Sequence, residues 1–262
     1  VETTGVTPPV ESSGEAKPNE WRKFFRNVGE DQGRIWASPF RMNKKTAPWW
    51  LLFGGAAAVL IATDHSTATK LPNTQDQMAV ATWTSRLGAS YSIIPITATF
   101  WLGGVLADSP RAREVGRVGV EALTDAFIVN NVIKAATQRQ RPTEGEERGA
   151  FWAGTGRFWN AGSSFPSGHA TYAFTLASVI AHEYHDSKII PITAYALATT
   201  VGASRFAARK HYASDIVAGA AVGWFIGHYV YGKRHNPDLA HGKPGVKAWF
   251  ASHVRITPVF AR

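Results

Sequence analysis

Apolar residues in this chain fall into runs separated by polar stretches, and within the runs they lack the strict alternation of a half-buried strand. The runs are 47–63, 92–107, 115–137, 170–184, 189–203 and 213–231, each rich in Ala, Gly and Leu. No repeat period connects them. The pattern predicts an all-α fold, a compact bundle of about six core helices with an irregular N-terminal extension.

That extension has two parts. Residues 1–20 (VETTGVTPPVESSGEAKPNE) have few large apolar side chains and read as a flexible leader. Residues 21–46 are basic and carry Trp21, Phe24, Phe25 and Trp36. Such a segment suits a short amphipathic helix, either packed on the domain or touching a membrane surface. The expected organisation is leader and basic segment over 1–45, a helical domain over 46–235, and a C-terminal tail over 236–262.

Composition narrows the picture. Charged residues make up 18% and hydrophobic residues 45%, enough apolar material for a sizeable core, so disorder of the whole chain is excluded. The net charge of +9 calls for an anionic partner, whether nucleic acid, anionic lipid or another ligand. With no cysteine, the chain has no disulfide, thiolate metal site or Cys nucleophile. That absence and the start at Val1 favour an exported protein, periplasmic or membrane-associated.

A membrane span needs roughly 20 mainly apolar residues. Segment 47–63 comes nearest, with Lys44 and Lys45 before it and Asp64 after it, whereas 115–137 carries Arg117, Glu121, Asp125 and Lys134. Mean hydropathy is −0.14. These features favour a water-soluble bundle with buried helices, an integral membrane protein being the alternative.

Three clusters carry chemistry. In the first, Lys134 and Arg141 are seven residues apart, so on a continuing helix they would share a face, and Pro142 marks a boundary. The ordinary reading is a solvated basic helix end. The second is Pro166-Ser167-Gly168-His169, where an apolar helix begins. Ser167 could be a simple N-cap, yet a helix N-terminus also binds anions, and His169 could donate a proton. In the third, Ser204 and Arg205 precede His211 and Asp215, which are i, i+4 neighbours on one helical face. A carboxylate beside an imidazole fixes its tautomer, as a nucleophilic His requires, although an isolated pair can be structural. Together the clusters supply fixed cations, a Gly-bearing helix N-terminus and two histidines, the inventory for holding, attacking and protonating a phosphoryl group.

Lys-x6-Arg-Pro, Pro-Ser-Gly-His and Ser-Arg-x5-His-x3-Asp resemble, in order, the three-part signature of the type 2 phosphatidic acid phosphatase superfamily. That group includes lipid phosphatases, bacterial non-specific acid phosphatases and vanadium haloperoxidases. The resemblance covers roughly residues 90–231. It implies a metal-independent phosphatase acting on phosphate monoesters or pyrophosphates through a phosphohistidine. His211 would be the nucleophile, Asp215 the group holding its other ring nitrogen, and His169 the acid for the leaving oxygen and then the base for water. Lys134, Arg141, Ser167, Arg205 and the Gly168 N–H would bind the phosphate oxygens. No cofactor is implied, vanadate entering only as a phosphate mimic. The implied partner is a phosphorylated lipid or small phosphoester, with a membrane-surface contact and no nucleic acid. A vanadium haloperoxidase and a non-catalytic anion- or lipid-binding protein are the alternatives.

Two other stretches invite comment. His182-Glu-Tyr-His185 is one residue short of the zinc-protease spacing and reads as a helix end. In the loop 143–165, Phe151, Trp152, Phe158 and Trp159 could line the entrance to the site or simply pack the loop.

Overall fold

The structure, a computed structural model, describes residues 19–41, 43–44, 47–72, 74–144, 146, 148–153 and 163–236. Phe158, Trp159, the leader before residue 19 and the tail beyond residue 236 lie outside the described residues. Among the described residues there are eight α-helices and no strand. They are α1 (Glu20–Ala37), α2 (Ala47–Lys70), α3 (Gln75–Ser85), α4 (Ser90–Leu106), α5 (Pro110–Thr137), α6 (Gly168–Glu183), α7 (Ile189–Ala207) and α8 (Ala213–Arg234). Each of the six apolar runs is a helix. Within the N-terminal extension the basic segment forms α1, and α3 arises in a polar stretch that periodicity did not mark.

Local chemistry sets the boundaries. Asn19, Thr74 and Ser109 accept hydrogen bonds from the first turns of α1, α3 and α5, and Pro110 opens α5 with its φ already helical. Gln138 closes α5 in the left-handed conformation at φ 40°. The core gathers Val115, Val118, Ala122 and Val129 of α5, Leu176 and Val179 of α6, and Ile226 and Val230 of α8.

The closest packing is between α6 and α8. Gly219, Gly223 and Gly227 form a stripe on α8 at intervals of four residues, one helical turn. A Cβ at these positions would lie 2.6 Å from Ser167 O, 2.2 Å from Thr171 O and 2.5 Å from Thr175 O. The two backbones therefore touch along the stripe, which fixes the start of α6 against the start of α8.

The apolar helices α2 and α4 depart from the expectation of a water-soluble bundle with buried helices. The stretch Leu51–Lys70 is long and apolar enough to cross a membrane and only 11% of it is buried. Leu51, Leu52 and Val59 face outward, as do Ile94, Trp101, Leu102 and Leu106 on α4. Mean hydropathy hid this because the polar and charged stretches at both chain ends and between helices offset the apolar runs in the average.

Candidate active site

All three clusters converge at one end of the bundle. Lys134 sits in the last turn of α5, and its Nζ donates to Ser163 O at 2.5 Å. Because α5 stops at Thr137, Arg141 does not follow Lys134 along a helical face as a continuing helix would place it. It reaches the site from the loop instead, where Nη1 donates to Lys210 O at 3.2 Å. The chain then returns beneath the loop, with Ser164 N donating to Arg139 O at 2.7 Å.

Ser167 is the N-cap residue of α6, and its own N–H donates to Asp215 O at 2.9 Å, joining the second cluster to the third. Its hydroxyl is buried and has no hydrogen-bond partner among the described residues, and the same holds for Nε of Arg205 in the last turn of α7. Buried donors are nearly always satisfied, so two orphans, one at the N-terminus of α6 and one on a cation of α7, suit an anion. Ser204, by contrast, turns its hydroxyl back onto Val201 O, a helix-internal bond.

His211 is buried between the loop and α8, two residues before that helix begins at Ala213, so it does not share a helical face with Asp215 as the i, i+4 spacing suggested. Its Nδ1 lies 2.8 Å from Ser164 O and 3.6 Å from Asp215 Oδ2, so the nearest acceptor is the Ser164 carbonyl and the carboxylate stands just behind it. An Nδ1–H donated to that carbonyl leaves Nε2 with its lone pair. Burial, assisted by the charges of Lys134 and Arg141 and opposed by Asp215, lowers His211 to about 4, which keeps the ring neutral. Asp215 is held below the usual carboxylate range: burial pushes it up, but His211, Arg139 and the Ser164 hydroxyl outweigh that. Its Oδ2 also accepts from Tyr212 N at 2.8 Å, closing a capping box at the start of α8.

His169, in the first turn of α6, is lowered to about 3 by burial and then by Arg205, His211, Arg141 and Lys134. Lys134 is lowered to about 7 by burial and by Arg141 and Arg205, with Asp215 opposing. Crowded cations of this kind are an electrostatic demand for a negative guest. The sign of the pH effect follows. As pH rises through about 7, the free protein loses the Lys134 charge, so capture of an anion weakens on the alkaline side. We expect kcat/KM on a phosphate ester to fall above about pH 7, and Lys134→Arg to move that limb upward, since kcat/KM reports the free enzyme. A profile whose alkaline limb is identical in both proteins would contradict the assignment.

Sequence reasoning missed four residues here. Arg139 is fully buried and sandwiched between the rings of Phe151 and Tyr212, at 4.6 and 4.4 Å. It binds Ser214, Asp215 and Asp64 through its guanidinium, and its Nε donates to Gly149 O at 3.1 Å. Gly149 has φ 60°, and a Cβ there would lie 2.8 Å from the Tyr212 ring. Ser164, Ser214 and Asp64 complete the network. Phe151 therefore packs on Arg139, while Trp152 is exposed.

Residues 118–237, from within α5 to just past α8, match the PAP2 superfamily. The chain is 39% identical over 72 residues to a lipid A 1-phosphatase from Porphyromonas gingivalis, covering 27% of this chain and 16% of that protein. It is 32% identical over 99 residues to a lipid A 1-phosphatase from Rhizobium johnstonii, covering 37% of this chain and 39% of that protein. The chain thus spans well under two thirds of either relative. In fold it is similar to a transmembrane PAP2-type phosphatidylglycerolphosphate phosphatase from Bacillus subtilis, with a TM-score of 0.53 and 19% identity, over 82% of this chain and 97% of that one.

Proposed function

We propose that the protein is a membrane-associated, metal-independent phosphatase that removes a phosphate monoester from a lipid through a phosphohistidine. The observation that carries this reading is the neutral, buried His211 with its Nδ1 held by Ser164 O, at the same bundle end as Lys134, Arg141, Arg205 and the orphan Ser167 hydroxyl. Those cations and the α6 N-terminus bind the non-bridging oxygens and stabilise charge on phosphorus. His211 Nε2 attacks in line, the P–O bond to the alcohol breaks, and the alkoxide takes a proton from His169. The phosphate dianion reverses the local field, so His169 holds that proton only with substrate bound. In the second step neutral His169 takes a proton from water, hydroxide attacks phosphorus, and the P–N bond to His211 breaks. Asp215 balances the imidazolium charge on His211 throughout.

The lipid reading draws support from the surface beside the site. An apolar cleft of 420 Å³ between α4, α5 and α6 is lined by Ile93, Ile94, Thr97, Leu123, Phe127 and Tyr172. Tyr172 stacks on Phe127 and reaches Asn130, next to Gly168, so the cleft opens near the phosphate cradle and suits an acyl chain. The lipid A and phosphatidylglycerolphosphate phosphatases to which the chain is similar have substrates of this class.

Release of inorganic phosphate from a lipid phosphate and from nitrophenyl phosphate, with and without EDTA, tests the activity. EDTA should leave both rates intact, because side-chain cations supply the charge stabilisation. His169→Ala should slow lipid hydrolysis by about 10²–10⁴-fold. With nitrophenyl phosphate, whose leaving group needs no acid, that variant should accumulate an acid-labile, base-stable phosphoenzyme. Activity lost with chelator, or no phosphoenzyme in His169→Ala, would count against the mechanism.

Helix α1 suits the membrane contact. Its inner face is clasped by polar bonds, Arg234 to Asp31 and Asn27, and Gln32 to Asp125. Outward it shows Trp21, Phe25 and Trp36 along one stripe, with Arg22, Lys23, Arg26 and Arg34 beside it. Arg234 lies 19 residues beyond Asp215 on α8, about 28 Å at 1.5 Å per residue. The basic helix therefore meets an anionic leaflet far from the phosphate site. Reversing Arg22, Lys23 and Arg26 to Glu should lower hydrolysis of lipid phosphate in anionic vesicles and leave nitrophenyl phosphate hydrolysis unchanged. Equal loss on both substrates would refute a surface role.

A further inference from the structure

We propose that Asp64, acting through Arg139, is a positioning residue that preserves the negative charge of Asp215 for His211; this rests on the phosphatase reading above. Asp64 lies on α2, outside the segment that matches the superfamily and 151 residues before Asp215. Its surroundings are unusual for an outward-facing apolar helix. The carboxylate is 1% exposed, and a charged group on such a helix is retained only where it faces the protein and is paired.

The pairing is a buried bridge of two carboxylates across one guanidinium. Arg139 Nη2 donates to Asp64 Oδ2 at 2.8 Å, and Nη1 donates to Asp215 Oδ1 at 2.6 Å. Ser214 ties the two ends together. Its Oγ accepts from Arg139 Nη1 and donates to Asp64 Oδ2, and its backbone N–H donates to Asp64 Oδ1 at 3.2 Å. Asp215 Oδ1 is thus committed to Arg139, and Oδ2 is turned to Ser164, Tyr212 N and the His211 ring.

Charge counting gives the bridge a consequence. Arg139 contributes one positive charge, and Asp64 and Asp215 one negative charge each. With Asp64 in place, the guanidinium is divided between two carboxylates and the cluster keeps a net negative charge facing His211. Without the Asp64 charge, Arg139 would neutralise Asp215 outright, in a buried site where charges act strongly. The imidazolium that forms when His211 attacks phosphorus would lose its counter-charge, although His211 itself would keep every direct contact. Lys134, Arg141, Arg205 and Ser167 do not take part in the bridge, so phosphate binding should be untouched.

Asp64→Asn isolates the charge, because it keeps the shape and leaves Arg139 paired with Asp215, a balanced arrangement compatible with folding. Its kcat on nitrophenyl phosphate should fall about 10–100-fold, the scale seen for outer partners of functional histidines. KM and inhibition by inorganic phosphate should stay within about twofold of wild type, as expected when only transition-state stabilisation is lost. The decisive variant is Asp64→Asn combined with Arg139→Gln. Removing the cation frees the Asp215 charge again, so the double variant should be faster than Asp64→Asn alone, whereas a purely structural network would only worsen. Unchanged kcat in Asp64→Asn, or a double variant no faster than the single, overturns the proposal. Wild-type and His211→Ala assays run alongside separate the two levels. An active wild type with an inert His211→Ala upholds the phosphatase reading whatever Asp64 does, and an inactive wild type overturns both.

Discussion

His211→Ala is expected to lower kcat by on the order of 10⁵-fold or more, the scale on which a covalent site loses its nucleophile. Inorganic phosphate should still inhibit or bind, because the proposed cradle of Lys134, Arg141, Arg205 and Ser167 does not depend on the His211 ring. The size of the effect follows from how singly the ring is placed. It is fully buried, neutral because burial lowers it to about 4, and held at Nδ1 by Ser164 O at 2.8 Å. Among the described residues no other imidazole shares that arrangement, and His169 is the proposed acid for the leaving oxygen. Labelling the protein with radioactive phosphate from substrate, then quenching with acid or base, checks both halves of the expectation. A wild type that forms an acid-stable, base-labile phosphoenzyme would assign the nucleophile to a hydroxyl or carboxylate instead.

The second large effect is structural. Gly223→Leu should destabilise the protein by about 3 kcal/mol or more, at the upper end of what overpacking costs. A Cβ at residue 223 would sit 2.2 Å from the Thr171 carbonyl oxygen, a backbone atom in the first turn of α6 that is already engaged by Thr175 Oγ1. The neighbouring contacts at Gly219 and Gly227 are nearly as short, so α8 cannot tilt away at one end without losing the others. On that scale the melting temperature should fall by about 6–12 °C, measured by circular dichroism in the same detergent for both proteins. Activity should fall further than the loss of folded protein explains, because Gly219 holds α8 against Ser167 O at the cradle. A melting temperature within about a degree of wild type would mean that α6 and α8 pack less closely than described.

Much of this was legible in one dimension because the chemistry is local. Pro166 to His169 is a continuous helix start, His211 and Asp215 are four residues apart across the start of α8, and Ser204-Arg205 stands a few residues before them. Residue type and spacing carry the information in such motifs. Helical runs were legible because they are long, lack the alternation of a strand and are rich in Ala, Gly and Leu. Arg139 was not, although it lies between Lys134 and Arg141. On paper it is one more cation in a basic stretch, and nothing short of the Asp64 and Asp215 carboxylates closing around it distinguishes a strut from a phosphate ligand. Ser164 was missed for another reason. Its carbonyl holds Nδ1 of His211, and a backbone acceptor leaves no mark on residue type. The Gly219-Gly223-Gly227 spacing was visible but not decisive, since a stripe of glycines acquires meaning only from what presses against it.

By itself the amino-acid sequence determined the all-helical character, the superfamily signature and the candidate residues for charge and proton transfer, because each depends on neighbours within a turn or two. Tertiary structure alone decided how those residues meet. It ended α5 before Arg141 and brought that side chain in from a loop, and it turned His211 toward a carbonyl with Asp215 behind it. It also left α2 and α4 facing outward while burying Asp64 against Arg139. Those outcomes depend on contacts between segments far apart in the chain, where packing and desolvation choose one arrangement from many that local propensity permits.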